Sequence, residues 1–381
     1  MVVAAYSRPV RPGLVFALLF AACSSAPGSG PPPIHFLHTF APAETELVNK
    51  AIADRGLSVE ASLVPFARGQ QVIREILRAA HACPDLIRID ATWLPGLVAD
   101  DLLAPPPPSL AALDWSPEAA QLATYRGVLW GAPQTVDGLV VVRDAGTPAP
   151  ASPAIADLVA AAQAQTRGFA HPLGLRVDAY WLVPWLRAEG AELAPDRIGD
   201  GGAARGLADF AALFGHLAAA PPPLGSEAPD ELRRWSAHEL AYWVTGPWQL
   251  GNLAGRDAIA VSALAHAPRG GQLLVVPRCA ERPDDGWHLA AELTSIDVEL
   301  IFSDAFATVP TRRDALAHAT PLVLAIAGAL ADAEMLPRLP ITPLLFDDLN
   351  PALAAVVAGD ATADEAIAGV RRGWARLSET P

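Results

Sequence analysis

The chain has few charged residues and an excess of acidic ones. Only 18% of its 381 residues are charged, and 41 Asp and Glu outnumber 27 Lys and Arg, which gives a net charge of −14. Such a chain repels phosphate backbones, so we expect no nucleic-acid partner. The Arg pairs are too sparse to form a basic stripe, and we assign them to solvated faces. They are Arg233-Arg234, Arg312-Arg313 and Arg371-Arg372.

Common catalytic and metal-binding motifs are also missing from the sequence. It contains no G-x-S-x-G, H-E-x-x-H or G-x-x-x-x-G-K-[ST] segment and no Cys/His cluster with metal-ligand spacing. The glycine-rich residues 199–206 miss the dinucleotide fingerprint, and we interpret them as a loop. We therefore predict a protein that is not an enzyme and that has no catalytic residues, cofactor or metal.

Long apolar runs are absent beyond residue 33. The nearest, PLVLAIAGALADAEML, is interrupted by Asp332 and Glu334 and falls short of the about 18 apolar residues that a membrane helix needs. We interpret it as a buried helix. A shorter apolar run, LVFALLFAA, follows Arg8 and Arg11 near the N-terminus. This arrangement is typical of a secretory signal peptide.

The end of this apolar run, LFAAC, resembles a bacterial lipobox, with Phe20 where the pattern prefers Leu. The resemblance implies a signal peptide over residues 1–22, cleavage before Cys23 and lipidation of its thiol. Residues 23–33 then form a flexible tether. We expect a periplasmic or cell-surface protein that is held at the membrane only by this lipid. The alternative is plain secretion.

Only Cys83 and Cys279 remain if Cys23 is lipidated. Two cysteines in an oxidising compartment are the number for one disulfide. The alternative is a pair of buried free thiols.

Short apolar strands alternate with amphipathic helices along the chain. IHFLHTF, LSVEASLVPF and PDLIRID predict strands, and ARGQQVIREILRAAHAC between them predicts a helix. Later segments predict a helix over residues 204–220, a strand over 270–277 and two C-terminal helices joined at Gly359-Asp360. The alternation indicates helix-covered, mostly parallel sheets, and it occurs twice, over 34–136 and from 137 onward. We predict two α/β lobes with a cleft at the strand ends.

Six segments, in the same order, resemble bacterial extracellular solute-binding proteins of the maltose-binding-like type. Together they span nearly the whole chain after residue 33. They are IHFLHTF, CPDLIRIDATWLPGLVADDLLAP, YRGVLWGAPQTVDGLVVV, DAYWLVPWLRAEGAEL, VTGPWQLGNL, and GGQLLVVP with the later TSIDVELIFSDAFATVPTRRDAL.

The resemblance implies a two-lobe periplasmic-binding-protein fold that closes on its ligand by a hinge. The first lobe would contain residues 34–136 and 273–320, and the second lobe 137–272 and 321–381. The implied function is capture of a mono- or oligosaccharide by a monomer, and its delivery to the permease of an ABC importer. Two alternatives stay open. One is a secreted lipoprotein glycoside hydrolase that uses Asp90 and Asp137, and the other is a sensor on the same fold.

The resemblance also implies a set of ligand contacts. Asp90 and Asp137 would accept hydrogen bonds from sugar hydroxyls. Trp248, together with Trp181 or Tyr180, would stack on the apolar face of the sugar. Gln272 stands where many relatives have Trp, which removes one stacking platform. The other implied contacts are His38, Thr39, Glu44, Trp93 and Arg312, the last as a donor.

Two further expectations follow from the resemblance. LLVVP would return from the second lobe antiparallel to LIRID, which would bring Cys83 and Cys279 together as a disulfide. In YWVTGPWQL, Tyr242 and Trp243 would pack a helical run onto its lobe. Gly246-Pro247 would then turn the chain and direct Trp248 at the cleft.

Overall fold

The computed structural model describes residues 32–199, 202–221, 231–251, 253 and 255–379. The predicted signal peptide over 1–22, Cys23 with its lipidation, and the tether up to residue 31 lie outside the described residues. Those from Pro33 onward form one compact unit.

The strands of the described residues are β1 (Ile34–His38), β2 (Val59–Leu63), β3 (Leu86–Asp90), β4 (Leu103–Ala104), β5 (Thr124–Tyr125), β6 (Val128–Leu129), β7 (Ala132–Gly138), β8 (Val140–Asp144), β9 (Leu173–Gly174), β10 (Tyr242–Thr245), β11 (Ile259–Ser262), β12 (Pro268–Pro277) and β13 (Glu334–Met335).

The helices of the described residues are α1 (Pro42–Asp54), α2 (Phe66–Ala79), α3 (Leu94–Ala99), α4 (Pro108–Ala111), α5 (Pro117–Ala123), α6 (Ile155–Ala164), α7 (Ala179–Ala188), α8 (Ala203–Ala211), α9 (Glu231–Ser236), α10 (Pro247–Leu250), α11 (Pro283–Leu293), α12 (Ile296–Phe306), α13 (Arg313–Ala317), α14 (Pro321–Ala329), α15 (Leu345–Ala358) and α16 (Ala363–Glu379), with 3₁₀ turns at Arg256–Ala258 and Thr342–Leu344.

The first sheet has the strand order β13-β12-β3-β1-β2, and β4 and β7 also pair with β12. β1 runs parallel to β2 and β3, whereas β12 runs antiparallel to both β3 and β7. Leu86, Ile87 and Ile89 of β3 are fully buried, because helices cover both faces of this sheet. The antiparallel pairing of β12 with β3 confirms the predicted return of LLVVP beside LIRID.

The second sheet has the order β11-β8-β10-β9. β10 runs parallel to β9 and antiparallel to β8, which in turn runs antiparallel to β11. Only Leu139 separates β7 of the first sheet from β8 of the second. At Gly138 a Cβ would lie 2.5 Å from the Pro268 carbonyl oxygen, so the crossing needs glycine here.

Two sequence predictions were wrong in their secondary structure. Residues 242–245 form strand β10 rather than a helical run, since this apolar segment pairs with β8 inside the second sheet. The helix predicted over 204–220 ends at Ala211, and Gly215 follows with φ +80°. A left-handed backbone at this position ends the helical periodicity.

The predicted pair of C-terminal helices is confirmed. α15 ends before Gly359, whose φ of +80° gives the left-handed geometry that stops helices. Thr362 and Glu365 then bond each other's backbone N–H at the start of α16. None of the described helices is both long and apolar enough to cross a membrane.

The structure contains the Cys83–Cys279 disulfide, with the two Cα atoms 5.9 Å apart. Cys83 lies shortly before β3 and Cys279 shortly after β12. Because these strands are antiparallel, the register that pairs Leu274 with Arg88 also brings the two cysteines together. The bond closes a loop across a sequence separation of 196 residues.

Replacing both cysteines with serine should lower the free energy of unfolding by about 2–5 kcal/mol, because the bond restricts the unfolded chain. Thermal unfolding with and without reductant measures this. Reductant should lower the Tm of the wild-type protein to that of the double variant and leave the variant unchanged. A wild-type Tm that does not respond to complete reduction would contradict the expected stabilisation.

Candidate functional site

Asp90 is the last residue of β3 and lies at the carboxyl end of this central strand of the first sheet. Its carboxylate accepts hydrogen bonds from Thr92 N and Oγ1 at 2.8 and 2.5 Å and from Gln272 Nε2 at 3.1 Å. Burial raises the pKa of Asp90, while these hydrogen bonds and the charge of Arg88 act in the opposite direction. Gln272 keeps its Oε1 buried and without a hydrogen-bond partner among the described residues.

Asp137 lies on the other side of β12, on β7, where it pairs with Gly270. A Cβ at Gly270 would lie 2.6 Å from Asp137 Oδ1 and 3.4 Å from Tyr180 Oη, so glycine leaves room for both groups. Burial raises the pKa of Asp137 to about 7; the Asp90 and Glu44 charges add to the shift and Arg88 opposes it.

Arg88 compensates these acids from within β3. Its side chain is buried, with Nε donating to Gln134 Oε1 at 2.8 Å and Nη1 to Thr39 Oγ1 at 3.0 Å. The guanidinium also lies over the Phe40 ring, 4.2 Å from its centroid. A buried charge needs partners, and Asp90, two residues along the same strand, supplies one of them.

Sequence reasoning missed Arg88 and Gln134. The signal for Arg88 was a charged residue inside the apolar strand LIRID, which demands a buried partner. No comparable signal marked Gln134. We define the polar network as Thr39, Arg88, Asp90, Gln134, Asp137 and Gln272.

Glu44 contributes charge to this network from α1. Its Oε2 accepts a hydrogen bond from Ala41 N at 2.8 Å and so caps the helix. Its negative charge is also one cause of the raised Asp137 pKa. Glu44 thus lies within electrostatic reach of the polar network, and its local partner is the backbone.

Three aromatic rings from α7 and α10 lie beside the polar network. Trp248 contacts Trp181 and Tyr180 edge to face, with ring centroids 6.1 and 6.3 Å apart. Trp181 is buried and donates through Nε1 to Val244 O at 2.8 Å. Tyr180 donates to Pro268 O at 3.3 Å, at the start of β12. We call Tyr180, Trp181 and Trp248 the aromatic cluster.

Trp248 is 39% exposed, so it is the ring of the cluster that is open to solvent. It folds back over Gly246, where a Cβ would lie 2.1 Å from the indole. Glycine is therefore required beneath this ring. Trp243, in contrast, is buried in β10 against Trp235. The division between a packed Trp243 and an accessible Trp248 thus matches the geometry, although 242–245 is a strand.

The structure places His38 in the core rather than within the polar network. Its side chain is 1% exposed and lies between the rings of Phe36 and Phe40, with centroids 5.5 and 5.3 Å away. Burial lowers the pKa of His38 to about 4, and the nearby charge of Arg88 adds to this shift. The ring is a neutral part of the core.

Arg312 is also placed differently from the expectation. Its Nε donates to Asp114 Oδ1, and its guanidinium lies 5.4 Å from the Trp115 ring centroid. The adjacent Thr311 bonds Pro133 O, four residues before Asp137 on β7. The Arg312 side chain therefore forms an ion pair with Asp114.

Trp93 is buried, packing against Phe66 at 5.4 Å and against Gly69, where a Cβ would lie 2.5 Å from its ring. The exposed aromatic here is Phe66, which is 52% exposed and which sequence reasoning missed. Its position at the start of α2, shortly after the end of β2 at Leu63, was the available signal.

The structure thus brings most of the predicted contacts to one region and leaves three elsewhere, namely His38, Trp93 and Arg312. Their roles toward a ligand stay predictions. Within the described residues, no group of three or more His, Cys, Asp or Glu side chains is arranged to hold a metal ion. The contacts brought together are Thr39, Glu44, Asp90, Asp137, Tyr180, Trp181, Trp248 and Gln272.

Solved structures of sugar-binding proteins share this fold. The GacH receptor of Streptomyces glaucescens, solved unliganded and with acarbose, matches with a TM-score of 0.75 at 23% identity over 91% of this chain and 98% of its own. A Thermus thermophilus maltotriose binding protein matches with a TM-score of 0.75 at 18% identity, over 89% of this chain and 99% of its own. Maltose-bound T. maritima MalE3 matches with a TM-score of 0.76 at 17% identity, over 91% of this chain and 99% of its own.

These likenesses confirm the predicted two-lobe periplasmic-binding-protein fold and the resemblance at the level of the fold. No protein-family model and no curated protein matches the sequence.

The raised pKa of Asp137 predicts a pH-dependent stability. The folded protein holds this proton up to about pH 7, whereas the unfolded chain releases it near pH 4. Between these values stability falls as pH rises, with a slope of up to about 1.4 kcal/mol per pH unit from this group. Asp137→Asn should remove that part of the slope in chemical denaturation.

The matched control is Asp364→Asn, which alters an exposed carboxylate on α16. Its profile should run parallel to that of the wild-type protein. If the Asp137→Asn profile is parallel as well, the buried acid is not protonated in the way that its surroundings predict.

Proposed function

We propose that this protein is an extracytoplasmic solute-binding lipoprotein that captures a sugar between its lobes and delivers it to an ABC importer. The observation that carries the proposal is the meeting of the polar network and the aromatic cluster at Gly270. Asp137 comes from the first sheet and Tyr180 from helix α7, and both approach this one backbone position.

A sugar offers two kinds of surface that fit these groups. Its hydroxyl rim needs hydrogen-bond acceptors, which Asp90 and Asp137 supply. Its flat C–H face needs an aromatic ring, and Trp248 offers one that is partly exposed. Trp181 would support Trp248 from behind, held by its hydrogen bond to Val244 O.

The remaining parts of the proposal concern organisation and location. The first lobe would comprise residues 34–136 and 273–320, and the second lobe 137–272 and 321–381. The chain would act as a monomer, anchored by a lipid on Cys23 and located in the periplasm or at the cell surface. The signal-like N-terminus and the fold shared with ABC-transporter binding proteins support these points.

A binding role is favoured over glycoside hydrolysis by the arrangement of the acids. Asp90 and Asp137 belong to β3 and β7, which flank β12 in one sheet. They would meet a sugar from the same side, whereas the two carboxyl groups of a glycosidase flank the scissile bond. Incubation with glycosides should therefore release no product.

The Trp248→Ala variant tests the site. In a thermal-shift panel of mono- and oligosaccharides, the wild-type protein should show ligand-dependent stabilisation that this variant loses, with affinity at least about 10-fold weaker. The fold should remain intact, since the ring is partly exposed.

Leu324→Ala is the matched control, because it truncates an exposed apolar side chain on α14. It should respond to the sugars like the wild-type protein. Full binding by Trp248→Ala would remove the ring from the proposed site, and failure of every sugar with the wild-type protein would favour a non-transporting role on this fold.

A further inference from the structure

A small cavity opens beside the polar network and is lined by two arginines. Thr92, which donates to Asp90, and Gly270, which pairs with Asp137, are among the residues that line it. Arg269 and Arg338 line the rest together with apolar groups. The cavity therefore adjoins the region in which we place the sugar.

Arg338 has more hydrogen-bond donors than its surroundings satisfy. Its Nη1 donates to the Leu122 carbonyl at 2.9 Å and to the Gln121 carbonyl at 3.4 Å. Its Nε and Nη2 are buried and have no hydrogen-bond partner among the described residues. Burial lowers the pKa of Arg338 to about 10, and Tyr125 acts in the opposite direction.

Arg269 on β12 bonds to Gln121, which lies at the C-terminal end of α5 beside the carbonyl groups that Arg338 uses. Its Nη1 donates to Gln121 Oε1 at 3.2 Å and its Nη2 to Ala331 O at 2.7 Å. Its Nε is again buried without a partner among the described residues. Two guanidinium groups thus converge on Gln121, and both keep unused donors.

No carboxylate of the described residues neutralises this pair. The lining of the cavity contains neither Asp nor Glu, and none of the ion pairs among the described residues includes Arg269 or Arg338. Leaving the buried Nε of Arg269 and the buried Nε and Nη2 of Arg338 without acceptors is costly, and an anion in the cavity would satisfy them. A planar oxyanion such as a carboxylate matches the guanidinium fork.

We propose that this cavity is a subsite for an anionic substituent of the sugar, such as the carboxylate of a uronic acid. The inference rests on the proposed function, because Thr92 and Gly270 connect the cavity to the sugar site. Asp90 and Asp137 accept hydrogen bonds from the hydroxyls of the ligand, while Arg269 and Arg338 attract its charged group, and together they fix the orientation of the ligand.

The test compares matched neutral and acidic sugars. Calorimetry and thermal shift on the full chain would use glucose with glucuronate, galactose with galacturonate, and the corresponding disaccharides. The acidic member of a pair should bind at least about 10-fold more tightly, and Arg338→Gln should weaken its binding by about 10- to 100-fold. Neutral sugars should change far less.

Arg313→Gln is the matched control, since Arg313 is exposed on α13 and lies outside the cavity. It should leave both affinities unchanged. Arg269→Gln removes the second guanidinium and gives an independent measurement if Arg338→Gln does not fold. Its effect should also be confined to the acidic sugars.

The possible results separate the two proposals. If neutral sugars bind as well as acidic ones and Arg338→Gln changes nothing, the subsite is refuted and the sugar-binding function stands. If no neutral or acidic sugar binds, the proposed function itself fails. If sulfate or phosphate alone binds in an Arg338-dependent way and acidic sugars do not, the cavity holds a free anion and the sugar subsite is refuted.

Discussion

Strand β12 is the element on which the rest of the structure depends. It runs antiparallel between β3 and β7, so its register decides which residues meet. Gln272 lies beside Asp90 on one side, and Gly270 lies beside Asp137 on the other. A shift of β12 by one residue would turn Gln272 to the opposite face of the sheet. It would also move Cys279, which follows β12, out of line with Cys83, which precedes β3.

The polar network and the aromatic cluster have different physical origins. The network is a buried set of charges, in which Arg88 lies near Asp90 and Asp137, and burial still raises the pKa values of these two acids. The cluster depends on packing: the buried Trp181 holds the exposed Trp248, and Gly246 leaves space for its ring. Tyr180 of the cluster lies next to Asp137 of the network at Gly270, so the two groups of residues meet at this position.

Much of this could be predicted from the sequence because local patterns encode it. Apolar strands and amphipathic helices predicted two α/β lobes, a strand end located Asp90, and the family resemblance pointed to Asp137. Side-chain partners could not be predicted in this way. His38 follows the same strand-end rule yet packs between Phe36 and Phe40, and Arg312 meets Asp114, which is 198 residues away in sequence. Residues 242–245 form a strand because β8 is available to pair, which no local pattern reveals.

The central claim is that the polar network of the first sheet and the aromatic cluster of the second lobe surround one ligand. Hydrogen exchange, measured by mass spectrometry with and without a sugar that stabilises the protein, tests it most directly. The account predicts simultaneous protection of peptides covering residues 88–92 and 134–138 and of peptides covering 179–182 and 245–250. Protection confined to one of these two groups, or located elsewhere, would contradict it.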